Sequence, residues 1–327
     1  MEREALGKAG FDRRGMLIGA AAALAAGSAT AQVSIQRRGP SAAPDSGVYE
    51  PPETLKAVFD LYRRMTADVR VNGRGPYPFV VDTGANQSVI ADSLAAALGL
   101  APGRPELLHS ATGAEMAPTT QARLDIGDRR EDDVVLSVLP QAAIGGLGML
   151  GVERLAGQRL TLDFARERLV IERSRNAWRD PGDVVLKTQR RDGQLTLVDA
   201  ELAGVPITAF IDSGAESTIG NGALKAIAAA QRPRATWTQA PVLGVTGKIM
   251  QADMAGFPGL RIGGLRLPPW PLAFADLHTF TLWGLTEQPA LMIGVDILSR
   301  FRAVSLDFER DEVRFHDAAL AAATMRA

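Results

Sequence analysis

The chain contains no cysteine among its 327 residues. That excludes disulfides, thiolate metal sites, a cysteine nucleophile and a lipoprotein anchor, and it leaves export open, because a chain without thiols folds equally well in an oxidising compartment. Aromatic residues are few, at 6%, and histidines number three. Those three, His109, His278 and His316, share no metal-ligand spacing, and no Ser–His–Asp set can be assembled from them. Charge of one sign is also missing: the formal net charge is -1, which gives no basic surface for nucleic acid or for an anionic membrane. No glycine-rich phosphate loop occurs. No metal or other cofactor is implied.

Glycine (33) and proline (19) are plentiful, as expected for many turns between short strands. The N-terminus reads as a targeting segment. Arg13-Arg14 precede an apolar run from Met16 to about Ala26, too short to span a bilayer, and Ala29-Thr30-Ala31 has the small-x-small form of a signal-peptidase site. The arginine pair resembles a twin-arginine export signal; a general secretory signal is the alternative. Residues 1–31 are therefore expected to be a cleaved signal peptide, leaving no stable membrane anchor and a periplasmic or secreted product. If the segment is retained, the protein is membrane-tethered. Residues 32–52, rich in Pro, Ser, Gly and Ala, read as a disordered linker.

Alternating apolar and polar residues from Met65, a turn at Asn72-Gly73 and a return strand from Tyr77 predict a hairpin that ends in Asp82-Thr83-Gly84-Ala85. A second apolar strand ends in Asp212-Ser213-Gly214-Ala215. Further landmarks repeat in order. Asp212 follows Asp82 by 130 residues, Thr246 follows Thr112 by 134, Ile262 follows Ile126 by 136, and Gly294 follows Gly151 by 143. Slowly growing offsets are what a duplicated unit with loop insertions gives, and two copies are too few for a solenoid. The expected organisation is an N-terminal lobe over 53–173, a connector over 174–190, a C-terminal lobe over 191–317 and a tail over 318–327.

One Asp-Ser/Thr-Gly tripeptide is a weak signal; two, each after an apolar strand and each followed by the same landmarks, are a strong one. Two carboxylates about 3 Å apart cannot both ionise at neutral pH, so the pair shares a proton. The charged member can take a proton from a water while the neutral one donates to a carbonyl oxygen, which is general acid–base hydrolysis. Gly84 and Gly214 permit close backbone approach, and the hydroxyls of Thr83 and Ser213 can bond across to fix the two loops.

These residues resemble a pepsin-like or retropepsin-like aspartic protease, nearest the bacterial single-chain, two-lobe, retropepsin-like group. Asp82-Thr83-Gly84-Ala85, Asp212-Ser213-Gly214-Ala215, Met149-Leu150-Gly151 and Met292-Ile293-Gly294 carry the resemblance, which spans roughly residues 65–317. It implies a mostly β fold with a few short helices, two similar lobes related by a pseudo-twofold axis, a cleft between them, and hydrolysis of a peptide or protein substrate by a monomer. Asp82 and Asp212 are the expected dyad, supported by Thr83, Gly84, Ser213 and Gly214. In the family an apolar strand with a glycine packs behind each loop, a role that falls to Leu150-Gly151 and Ile293-Gly294. Candidate substrate contacts are Ala85, Asn86, Ala215 and Glu216, with flaps at Thr112-Gly113 and Thr246-Gly247; these turns also read as ordinary hairpins. Asn86 departs from the retroviral pattern, which has an acidic residue there, and no arginine directly follows Gly151 or Gly294. The aromatic insertion within 268–290 can be read as a subsite wall, a cleft cover or plain core. A peptide-binding protein that retains the cleft without cleaving is the competing reading.

Overall fold

The computed structural model describes residues 23–26, 52–60, 63–153, 155, 157–174, 182–191, 194–257 and 259–316. The readings on the 32–51 arm, on Pro181 within the connector and on the 318–327 tail lie outside them. So does the leader, apart from Ala23–Ala26, which runs antiparallel to Glu106–Ser110. No described helix is long and apolar enough to cross a membrane.

The protein is mostly β with five short helices among the described residues. The alternation read from Met65 produces the strand Met65–Val71, with Met65, Ala67, Val69 and Val71 buried. It pairs antiparallel with Arg74–Val81, which ends at Asp82. The strand Gly148–Leu150 runs parallel to Arg74–Val81, placing Met149 beside Val80 and Leu150 beside Val81. Val89–Ala91 pairs antiparallel with Gly148–Leu150 and parallel with Arg129–Leu139. The helix Asp92–Leu98 stops at Gly99, whose φ of 64° is the left-handed conformation that favours glycine.

The second half repeats these pairings. Val205–Ile211 ends at Asp212 and runs parallel to Ala290–Ile293, with Phe210 beside Met292 and Ile211 beside Ile293. Ile219–Gly220 pairs antiparallel with Ala290–Ile293 and parallel with Trp270–Phe274. Phe79 and Phe210, on the strands that lead to the two aspartates, are fully buried, each burial contributing about 2–3 kcal/mol. A side chain on Gly148 would collide with the Phe79 ring, so glycine there makes room for it.

A six-stranded antiparallel sheet joins the halves. Its order is Glu53–Phe59, Arg168–Arg173, Gln158–Asp163, Ala303–Asp307, Glu312–His316 and Val184–Arg191. At its centre Thr161 pairs with Ser305, and their hydroxyls are 2.7 Å apart. Two of its strands were not read in the sequence. Glu53–Phe59 follows directly on a Pro-rich arm, and Val184–Arg191 is half polar.

The aromatic insertion is core. Phe280 and Trp283 are 1% and 5% exposed, and both rings pack on Phe210, with centroids 5.9 and 4.3 Å away. It thus braces the strand that carries Asp212.

Candidate active site

Each aspartate is held by the strand behind it. The backbone N–H of Asp82 donates to Leu150 O at 2.9 Å, and that of Asp212 to Ile293 O at 3.0 Å. Past each glycine the chain folds back on its own loop: Val152 N–H donates to Ala85 O at 2.8 Å and Val295 N–H to Ala215 O at 2.9 Å. Side chains on Gly151 or Gly294 would collide with these loops. Ala85 and Ala215 are fully buried and their carbonyls are engaged, so they build the loops.

Four hydrogen bonds then lock one loop to the other. Thr83 N–H donates to Ser213 Oγ at 3.0 Å and Ser213 N–H to Thr83 Oγ1 at 3.0 Å. The Thr83 hydroxyl donates to Ile211 O at 3.2 Å, and the Ser213 hydroxyl to Val81 O at 2.6 Å. Each hydroxyl both accepts and donates across the junction, a use that only Ser or Thr fits at this size.

Asp82 and Asp212 are fully buried. Gly84 N–H donates to Asp82 Oδ1 at 2.8 Å; Gly214 and Ala215 N–H donate to Asp212 Oδ1 at 2.9 and 3.0 Å. Each carboxyl shifts the titration of the other. Burial pushes Asp82 up to about 7, with the Gly84 N–H opposing. Burial pushes Asp212 well above the carboxylate range, and the Asp82 charge adds to that rise. Pairing plus burial is the condition under which one carboxyl keeps a proton at neutral pH.

A second tier of polar residues was not read from the sequence. Ser88 Oγ donates to Glu153 Oε1 at 2.7 Å and accepts from Gly151 N–H at 3.1 Å. Thr218 Oγ1 donates to Asp296 Oδ1 at 2.7 Å and accepts from Gly294 N–H at 3.1 Å. The signal was present. Each hydroxyl lies six residues beyond its aspartate and each carboxyl two beyond its glycine. Trp270 Nε1 also donates to Asp296 Oδ2, at 3.1 Å.

Beside Gly214 a cleft of about 180 Å³ is lined by Arg64, Ile144, Glu216, Ile219, Val242 and Leu243. Arg64 is nearly buried; it bonds Asp60 at 2.7 Å and Ile144 O at 3.0 Å. No repeated motif includes it, so nothing in the sequence singled it out. Desolvation raises the Glu216 carboxyl, with Arg64 opposing. Asn86, its counterpart after Asp82, is half-buried.

Thr112-Gly113 and Thr246-Gly247 lie at the tips of two hairpins, Glu106–Ser110 with Gly113–Ala117 and Thr238–Leu243 with Ile249–Phe257. The tips meet: Thr112 packs so closely on Gly244 that a side chain there would clash, and Lys248 pairs with Glu115 at 2.6 Å. The first hairpin is also held by the helix His278–Leu282. His278 N–H donates to Ala111 O at 2.8 Å, and the His109 and His278 rings stack with Nδ1 and Nε2 3.0 Å apart. Burial lowers both imidazoles, and their mutual repulsion lowers His109 further. His316 contacts Ser305 and Asp183. No group of three or more metal-ligating side chains occurs among the described residues.

Residues 67–153 match the family model for aspartyl proteases. The matched stretch includes Asp82 and ends at Glu153, and the β-rich fold agrees with it. Among curated proteins, none matches the chain.

Proposed function

We propose that the protein is an exported, single-chain aspartic endopeptidase in which Asp82 and Asp212 form the dyad of a two-lobed, pseudo-twofold, pepsin/retropepsin-like fold. The reciprocal grip of Thr83 and Ser213 carries the reading, because it joins the loops that bear two buried carboxyls, 130 residues apart in sequence. The aspartyl protease match over the first half supports it at the level of peptide hydrolysis.

In this reading a water between the carboxyls loses a proton to the ionised one as it attacks the scissile carbonyl carbon. The protonated partner donates to the carbonyl oxygen, giving a gem-diol. Collapse returns a proton to the leaving nitrogen and breaks the C–N bond, with no covalent enzyme intermediate. The substrate is an extended peptide lying under the two hairpins, and the protein acts as a monomer in the periplasm or outside the cell after residues 1–31 are removed. No cofactor enters the scheme.

The test is cleavage of an unfolded protein by the chain lacking residues 1–31, beside Asp82→Asn and Asp212→Asn variants. Each single substitution is expected to abolish cleavage. Activity that survives both rejects the dyad; a folded, peptide-binding but inert wild type establishes the non-catalytic alternative.

A further inference from the structure

The cleft beside Gly214 holds about 180 Å³, space for several waters and so for one long side chain. Ile144, Ile219, Val242 and Leu243 give it apolar walls, and two charged side chains, Arg64 and Glu216, complete the lining. The Arg64 guanidinium is engaged: Nε donates to Asp60 Oδ2 at 2.7 Å and Nη2 to Ile144 O at 3.0 Å. The charges near enough to bias Glu216 are Arg64, Asp60 and Asp296. Asp60 is held by Arg64. Asp296 accepts from Thr218 Oγ1 and Trp270 Nε1, while Arg300 donates to its backbone carbonyl and lies over the Trp270 ring. Glu216 differs from both acids. It is exposed, and among the described residues no side chain hydrogen-bonds or ion-pairs with its carboxylate. With Arg64 matched by Asp60, the charge left in the cleft is negative, and low-dielectric walls strengthen such a field. Asn86, the same position after Asp82, carries no charge, so the repeat is electrically asymmetric here.

We propose that Glu216 is a specificity-determining residue that selects peptides carrying a basic side chain, Lys or Arg, seated in this cleft. The aliphatic stem of such a side chain packs on Ile144, Val242 and Leu243 while its cation meets the Glu216 carboxylate, the usual division of a long basic side chain between apolar and polar surroundings. Gly214, in the same lining, lies against the Asp82 carboxyl, so the seat adjoins the dyad. Arg64 does not repel the guest strongly, because its charge is matched by Asp60 at 2.7 Å. The inference rests on the endopeptidase reading and narrows its substrate class to extended segments that contain basic residues.

The probe is a set of matched peptides with an apolar centre, in which each flanking position in turn is Lys, Arg, norleucine, Gln or Glu. Cleavage by the purified protein is expected to show, at one position, a kcat/KM about tenfold higher for Lys or Arg than for norleucine, the size of effect that a close charge pair gives. Glu216→Gln should bring that ratio close to one, and Glu216→Lys should turn the preference toward the Glu peptide. Circular dichroism verifies that the variants are folded, and if one is not, the other decides. If no peptide is cleaved, the endopeptidase reading fails, and fluorescence anisotropy of the same peptides, labelled, then reads the preference as a ratio of Kd values. No advantage of a basic side chain at any position, or an equal advantage in a folded Glu216 variant, overturns the proposal.

Discussion

Gly214 lies directly against the carboxyl of Asp82: a β-carbon added to Gly214 would sit closer to Asp82 Cγ and to both of its oxygens than real side chains approach. The backbone of one aspartate loop is thus the wall of the other carboxyl. Gly214→Ala is expected to push the two carboxyls apart and to reduce kcat by at least about 100-fold, since small displacements of reacting groups cost that much. Steady-state kinetics with circular dichroism on the same sample checks it; near-normal kcat in a folded variant contradicts the close packing.

Ser213→Ala removes the acceptor of Thr83 N–H and the donor to Val81 O. Two buried backbone groups lose their partners, at about 1–3 kcal/mol each. Urea unfolding should show a midpoint lowered accordingly, while Ser213→Thr, which keeps the hydroxyl, should retain most of the stability.

The dyad opposes stability at high pH. Asp82 is raised in the folded protein from the ordinary 3.8 to about 7, so the folded state holds a proton that the unfolded state has lost. Its contribution is full below about pH 3.8 and is lost as pH rises through about 7. Asp82→Asn should therefore melt a few degrees above wild type at pH 8, with the difference closing below pH 4. Melting curves across pH test this; a variant less stable than wild type at pH 8 rejects it.

Activity should follow the same titration. Below about 7 both carboxyls hold protons and no base is present, so kcat/KM is expected to rise with pH through that region. It should fall again once the second proton leaves the pair. A profile on a peptide whose own groups do not titrate between pH 5 and 9 would show this bell; an optimum near pH 3 contradicts it.

The His109–His278 contact should weaken in acid. Both imidazoles are lowered from the ordinary 6.5, so both are neutral at pH 7, and their stabilisation is lost as pH falls below that range. On the sheet side, Glu115 is directed to Lys248, and Leu108 and Ala114 are its and His109's apolar strand partners. Amide exchange in Glu106–Ala117 is expected to accelerate from pH 7 to pH 5 more than that of Thr238–Phe257. His278→Phe, which keeps a ring but cannot be charged, should remove most of that difference.

Sequence pattern reached far where the chain repeats itself. The aspartate strands were legible because Phe79 to Val81 and Phe210 to Ile211 are apolar runs that each lead into Asp-Thr/Ser-Gly-Ala, and Leu150-Gly151 and Ile293-Gly294 because a short apolar-Gly motif follows each. The helix Asp92–Leu98 was legible from its terminal glycine. Arg64 was not, since none of the repeated motifs includes it. Val184–Arg191 was read only as connector, because its pairing with Glu312–His316 joins residues more than 120 apart. The His109–His278 stack brings together residues 169 apart on elements that share no motif.

The ladder between Gln158–Asp163 and Ala303–Asp307 has a topological consequence. It hydrogen-bonds the halves to each other independently of the peptide bonds that run between them. Covalent continuity through residues 175–181 then serves mainly to raise the effective concentration of one half for the other. Two separately expressed fragments, divided within that segment, should find each other through this seam and rebuild the junction of Asp82 with Asp212.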